Sequence, residues 1–473
     1  MPGTLMVAAA LASMAIVGQD NVQLRAAPRD SAQQQAILWQ GDSLEIRGVK
    51  GDYLQVYDHR RERAGYVRAT QARPISLKPA DAGELLAVVR FLKDTPGAEA
   101  LGIAYTAAYL KAAPAAEIGA ETFDALGGMA ERLGRRASIR QGKALDPALA
   151  AHMEVVQQYG VVLRGYENDG RIQLCYDGDA YRRVLALPAD PAQQARAALG
   201  LTRQECLDPA QRPSERRSTD VWRAQLLDQV AMPDLAPHWQ NRIQMRRANV
   251  WAALAFDRAR QGLAPQEAGQ RALDALASVS KIDLADEDQA PYAEAAVRVG
   301  STIWAGQPVP AVNSGLRIVT ASGQPGETCV SLVAQGGAHA PALASRCTYG
   351  IVWPASARAN ATGSALTLAV QPMAAWREMW LFRQDGKGWS IDVLPPSSQD
   401  PALGYAEFAG WVPGTPKMLV VREARVEGRI KRRFEVLDMT TLAVEKSADK
   451  PEFLTLFHRW QDPRWQRATV SLR

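Results

Sequence analysis

Between residues 20 and 75 the chain alternates apolar and polar side chains in short runs, each bounded by turn formers. The runs are Val22-Gln23-Leu24-Arg25 leading to Pro28, Gly41-Asp42 opening Ser43-Leu44-Glu45-Ile46, then Tyr53-Leu54-Gln55-Val56, and Gly65-Tyr66-Val67. Alternation of period two puts the apolar groups on one face of a strand, and strands this short bury that face only if the sheet bends back on itself. The pattern therefore predicts a small, strongly bent β-barrel over residues 19–78. Such a module holds a ligand and supplies no reacting group. Its candidate ligand-binding residues are Trp39, Tyr53, Tyr57 and Tyr66, with packing of the barrel competing for Tyr53 and Tyr66.

Three motifs in this stretch resemble the bacterial SH3-like (SH3b) family: Leu24-Arg25-Ala26-Ala27-Pro28, Gly41-Asp42, and the closing Gly65-Tyr66-Val67. The resemblance implies a small barrel that binds peptides or peptidoglycan, or that packs against a neighbouring domain. The chain departs from the family pattern at Tyr66, where Trp is usual, and in the charged insert Asp58-His59-Arg60-Arg61-Glu62-Arg63.

After Pro79 the period changes to about 3.6. Leu85, Leu86, Val89, Phe91 and Leu92 recur at helical spacing behind Asp81 as N-cap, and further helical segments continue to about residue 300. A hairpin interrupts them at Val161–Tyr176 around Asn168-Asp169-Gly170, followed by a candidate third strand at Tyr181–Leu187. Asp190-Pro191 then caps a helix, and Pro209–Ser218 reads as a polar loop. From residue 301 the pattern returns to strands, and eight of the chain's 12 tryptophans lie there, enough for a separate core. Residues 406–440 are similar to one blade of a TolB-like propeller. About two blades' length is available, too little to close a propeller, so a sandwich or partial blade stack is expected. The overall expectation is a multi-domain α+β chain: an N-terminal apolar segment 1–18, the barrel 19–78, a mainly helical domain 79–300 with a β-meander, and a β-rich domain 301–473.

Compartment follows from two features. Leu5–Val17 is apolar but short for a bilayer span, ends at Gly18-Gln19-Asp20, and offers small residues at Ser13, Ala15 and Gly18 for cleavage. A secretory leader fits, although no Lys or Arg precedes it; an uncleaved anchor or a buried first strand are the alternatives. The four cysteines, Cys175, Cys206, Cys329 and Cys347, form no Cys-x-x-Cys pair. The sequential pairing Cys175–Cys206 and Cys329–Cys347 keeps each bridge within one expected domain. Each such bridge contributes about 3–4 kcal/mol on the chain-entropy account. A periplasmic or secreted location is expected.

Catalytic signatures are sparse. The chain has five histidines, His59, His152, His238, His339 and His458, none three or four residues from another, so no zinc-hydrolase pattern exists. Ser278-Val279-Ser280-Lys281 matches Ser-x-x-Lys without its partner motifs, and no Gly-x-Ser-x-Gly occurs. No nucleotide loop or calcium loop is present, and no cofactor or metal ligand set is expected. The net charge of +5 comes from scattered arginines, which reads as solvated surface and not as a nucleic-acid site. The expectation is a non-catalytic envelope binding or scaffolding protein whose partner is peptidoglycan, a peptide or an envelope protein. Membrane contact would come only through an uncleaved N-terminus. The competing expectation is a cell-wall hydrolase with its catalytic groups in the helical domain.

Overall fold

The structure is a computed structural model that describes residues 13–140, 142–168, 170–308, 315–334, 341–398 and 403–470. It is mixed α+β with several separate sheets. Two compact units divide the chain, Met1–Gln211 and Arg212–Arg473, so the helical stretch expected over 79–300 is shared between them.

The first unit opens with β1 (Ser13–Val17), β2 (Val22–Arg25), β3 (Gln34–Leu38), β4 (Ser43–Lys50), β5 (Tyr53–Asp58), β6 (Arg63–Arg68) and β7 (Ala72–Ile75). They form one sheet in the order β3-β2-β6-β5-β4-β1-β7. The expected barrel does not close. The edge that would complete it is taken by β1, which pairs with β4 on one side and β7 on the other, leaving β3 and β7 as the two ends. Register shifts at Leu24/Arg25 and Ile46/Gly48 bend the sheet over a core of Val17, Val22, Leu24, Leu38, Leu44, Leu54, Val56 and Val67. Residues 1–12 of the apolar N-terminal segment lie outside the described residues. Residues 13–17 are a strand with Ala15, Ile16 and Val17 fully buried, so the candidate cleavage positions Ser13 and Ala15 fall inside the fold.

Next come α1 (Ala82–Leu92), α2 (Glu99–Ala112), α3 (Ala120–Ala137), β8 (Ile139–Arg140), α4 (Pro147–Gln157), β9 (Leu163–Asn168), β10 (Arg171–Tyr176), α5 (Asp179–Ala186) and α6 (Pro191–Leu201). The hairpin is β9–β10, extended by β8 into three strands. The stretch Tyr181–Leu187 is helical, part of α5, and not a strand. Tyr181 packs flat on Gly127 and Gly200, where a Cβ would lie 2.6 and 2.3 Å from its ring, and Val184 is fully buried. One apolar face every three to four residues is what burial selected here. The α6 start carries the expected cap: Asp190 accepts from the Gln193 amide, and the Gln193 side chain returns to the Asp190 amide.

The second unit begins with α7 (Pro213–Asp228), which starts six residues before Thr219, the expected cap of this helix, and takes in part of the expected loop Pro209–Ser218. Pro213 sits in the first turn, and Glu215 accepts from the Arg212 amide. Its α8 (Pro237–Arg260), α9 (Gln266–Ala277) and α10 (Gln289–Ser301) share a core built on Met245, Ala252, Leu276 and Val299. β11 (Leu316–Ser322), β12 (Thr328–Ala334) and β13 (Ala342–Thr348) form a three-stranded sheet. A larger, eight-stranded sheet contains β14 (Ile351–Ala359), β15 (Ala365–Met373), β16 (Trp376–Asp385), β17 (Gly388–Leu394), β18 (Gly404–Val412), β19 (Lys417–Val426), β20 (Arg429–Asp438) and β21 (Val444–Ala448). Sequence predicted one strand over Cys347–Trp353; a turn at Tyr349-Gly350 divides it into the end of β13 and the start of β14. The short helices α11 (Thr455–Trp460) and α12 (Pro463–Val470) follow, with Phe457 buried against Phe434. Both sequential disulfides are present, Cys175–Cys206 and Cys329–Cys347. No helix among the described residues is long and apolar enough to cross a membrane.

Candidate functional site

Strand β5 alternates in burial from Leu54 onward. Leu54, Val56 and Asp58 point inward and are buried, while Tyr53, Gln55 and Tyr57 lie on the opposite face. On β6, Tyr66 stands opposite Gln55 and Arg68 opposite Tyr53, so both share that outer face. Gly65 makes the arrangement possible: a Cβ there would lie 2.6 Å from Leu24 Cδ1 and 3.0 Å from the Arg25 carbonyl, so β2 crosses β6 only over a glycine. Tyr53, Tyr57 and Tyr66 are thus gathered on one face.

Cations rim it. The bulge in β4 leaves Arg47 without a cross-strand partner and re-aims it, its guanidinium carbon 4.0 Å from the centre of the Tyr57 ring. Lys50 Nζ stands 5.9 Å from Tyr66, and the Arg68 guanidinium carbon 5.4 Å from Tyr53. Tyr53 donates to Asp30 Oδ1 at 2.5 Å, and Arg68 Nε donates to the same oxygen at 3.1 Å. The Tyr53 hydroxyl and then Arg68 hold the Asp30 carboxyl below its ordinary range, and the same bond raises the Tyr53 phenol. Glu45 is likewise lowered, first by His59 Nε2 at 2.7 Å and then by Arg47. Tyr53 is almost fully buried and its hydroxyl committed, whereas Tyr57 and Tyr66 are half-exposed.

Trp39 is not part of this face. It is half-buried against the helical core of α1–α4, and its amide donates to Asp42 Oδ2 at 2.9 Å. The Gly41-Asp42 pair lies at the same junction. Gly41 adopts φ 92°, with its Cβ position 2.7 Å from the Ala100 carbonyl oxygen, and Tyr159 donates to the Gly41 carbonyl at 2.6 Å. Asp42, 2% exposed, pairs with Arg61 at 3.1 Å, which also pairs with buried Asp58 at 2.8 Å; Arg60 reaches Glu154 of α4 at 2.6 Å. The charged insert that departs from the family pattern is therefore an anchor to the helices. Sequence reading missed this role, although Asp58 at an inward position of an alternating strand was a usable signal.

Two other features of the first unit bear on chemistry. His152 of α4, 4% exposed, bonds Asp20 Oδ1 through Nε2 at 2.7 Å. Asp20 also accepts from the Gln40 amide at 3.1 Å, and the other histidine nitrogen, Nδ1, is buried with no hydrogen-bond partner among the described residues. Asp20 lies in the turn between β1 and β2, so the pair ties the sheet to α4. A cleft of about 750 Å³ also opens beside β7, between Arg73, Val88, Phe91, Leu101 and Tyr105. In the second unit, the basic ribbon of β19–β20 is paired with its own acids, Arg422 with Glu435 at 2.9 Å and Lys431 with Glu427 at 3.0 Å.

No known protein family, curated protein or solved structure matches the chain.

Proposed function

We propose that this is a periplasmic or secreted binding protein whose SH3-like N-terminal module recognises peptidoglycan. The observation that carries the reading is the shared outer face of β5 and β6, where Tyr57 and Tyr66 are half-exposed beside Arg47 and Lys50. Phenol rings stack on the C–H faces of amino sugars, and the cations suit the carboxylates of acidic stem peptides. The two disulfides support an oxidising compartment. We leave Trp39 out of the ligand set because it packs against the helical core and not beside the tyrosines of β5 and β6.

Purified sacculi incubated with the disulfide-intact protein test this. Retention after washing, competed by soluble muropeptides, is the expected result. No retention rejects a wall ligand and leaves a protein partner for the same face. Turbidity of the same suspension is read in parallel, and its decline would favour a wall hydrolase over a binding protein.

A further inference from the structure

Glu327, Cys329 and Cys347 lie on one face of the β12–β13 ladder, independent of the N-terminal module. Cys329 and Cys347 are directly opposed in the register, between the pairs Thr328↔Thr348 and Val330↔Arg346. Glu327 precedes Cys329 by two residues, the spacing that keeps side chains on one side of an extended chain. One carboxylate oxygen and the two sulfurs all lie within 4.8 Å of one another. The turn before β12 holds the carboxylate in place: the Gln324 amide donates to Glu327 Oε2 at 3.0 Å, and the Gly323 amide donates to the Glu327 carbonyl at 3.0 Å. Gly323 itself leaves the space open. A Cβ there would stand 2.5 Å from Glu327 Oε2 and 3.0 Å from Cys329 Sγ.

We propose that this cluster is a soft divalent metal site, for zinc or a similar cation, that becomes available when the Cys329–Cys347 disulfide is reduced. The bridge is the more accessible of the two to a thiol: Cys347 is exposed and Cys329 half-buried, whereas in the other bridge Cys206 is half-buried and Cys175 only 3% exposed. A dithiol partner attacks one sulfur and releases the other as thiolate. Its second thiol then resolves the mixed disulfide, so the partner becomes a disulfide and the chain gains two thiols. Metal binding displaces the two thiol protons. The strand ladder keeps the cysteines opposed without the bridge. Tetrahedral zinc with S and O ligands needs donors about 3.3–3.8 Å apart, reached once the sulfurs relax to van der Waals contact. Two thiolates and one carboxylate leave a fourth position open to water.

The test uses the full chain, treated anaerobically with dithiothreitol until differential alkylation shows Cys329 and Cys347 free and Cys175–Cys206 intact. After the reductant is removed, cobalt(II) is titrated as the probe and zinc is used to displace it. The expected result is one cobalt per reduced chain, with near-ultraviolet thiolate charge-transfer absorption, and none in the oxidised chain. The double variant Cys329→Ser/Cys347→Ser is expected to lose the signal. Glu327→Gln should weaken binding by at least about tenfold, the lower range seen even for outer-shell losses. Absence of cobalt binding by the reduced chain would overturn the proposal. So would undiminished binding in either variant, or reduction of Cys175–Cys206 before the exposed bridge.

Discussion

Tyr53 and Asp30 are joined by a 2.5 Å hydrogen bond that ties β5 to the loop between β2 and β3. The carboxylate accepts from Arg68 as well, so one acid gathers a phenol and a guanidinium at the end of the tyrosine face. Its lowered pKa fixes the sign of a pH effect. A carboxylate depressed in the folded state contributes stability above its unfolded pKa, near the ordinary 3.8, and loses it as pH falls through the lower folded value. Asp30→Asn is therefore expected to lower the melting temperature slightly at pH 7. The difference should shrink below pH 3.8 and vanish once Asp30 is protonated in the folded wild type. Paired melts from pH 7 to pH 2 check this, and a constant difference would contradict it.

Asp42 makes a stronger case. It is buried, accepts the Trp39 amide and faces both Arg60 and Arg61. Asp42→Ala is expected to destabilise the first unit by about 2–4 kcal/mol, because it strands partly buried guanidinium groups and an amide. Chemical denaturation measures it; a change under about 0.5 kcal/mol, as at an ordinary surface position, would exclude the anchoring role.

Gly41 and Gly51 separate backbone conformation from contact. Both have positive φ, 92° and 57°, but only Gly41 has a neighbour in the way; nothing lies within 4 Å of a Cβ at Gly51. Gly51→Ala should cost about 1–2 kcal/mol, for the left-handed conformation alone. Gly41→Ala should cost roughly 1–3 kcal/mol more, because the sheet must move off α2. Equal losses would mean that the close approach to Ala100 is unimportant.

The buried strand Ser13–Val17 constrains export. Small residues at Ala10 and Ala12 immediately precede it. If a leader is removed, N-terminal sequencing of exported protein is expected to find a first residue at or before Ser13. A start at Gly18 or later would remove β1 from between β4 and β7 and would contradict the sheet order.

Much of this was legible from residue patterns. Period-two runs located β2, β4, β5 and β6, the Asp190-Pro191 cap located α6, and the cysteine spacing gave the bridges. Other features depended on tertiary context. Barrel closure was misjudged because Ser13–Val17 reads equally as leader and as strand, and only its pairing partners decide. Tyr181–Leu187 is alternating enough for a strand, yet packing against Gly127 and Gly200 made it helical. For the site, Tyr53, Tyr57 and Tyr66 were legible as candidates, while their sharing of one face rests on the β5 alternation and the hairpin register seen in the structure. The packing of Trp39 against the helical core was not legible, because those helices begin more than forty residues further along the chain.

The central claim is that Tyr57 and Tyr66 form the contact surface for the cell wall. It is tested most directly by sacculus cosedimentation of wild type, Tyr57→Ala, Tyr66→Ala and the double variant, each with its melting temperature. Each ring is expected to contribute about 1 kcal/mol of stacking, so each single variant should bind roughly fivefold more weakly, and the double variant should stay in the supernatant while melting like wild type. Equal retention of wild type and the double variant would contradict the account.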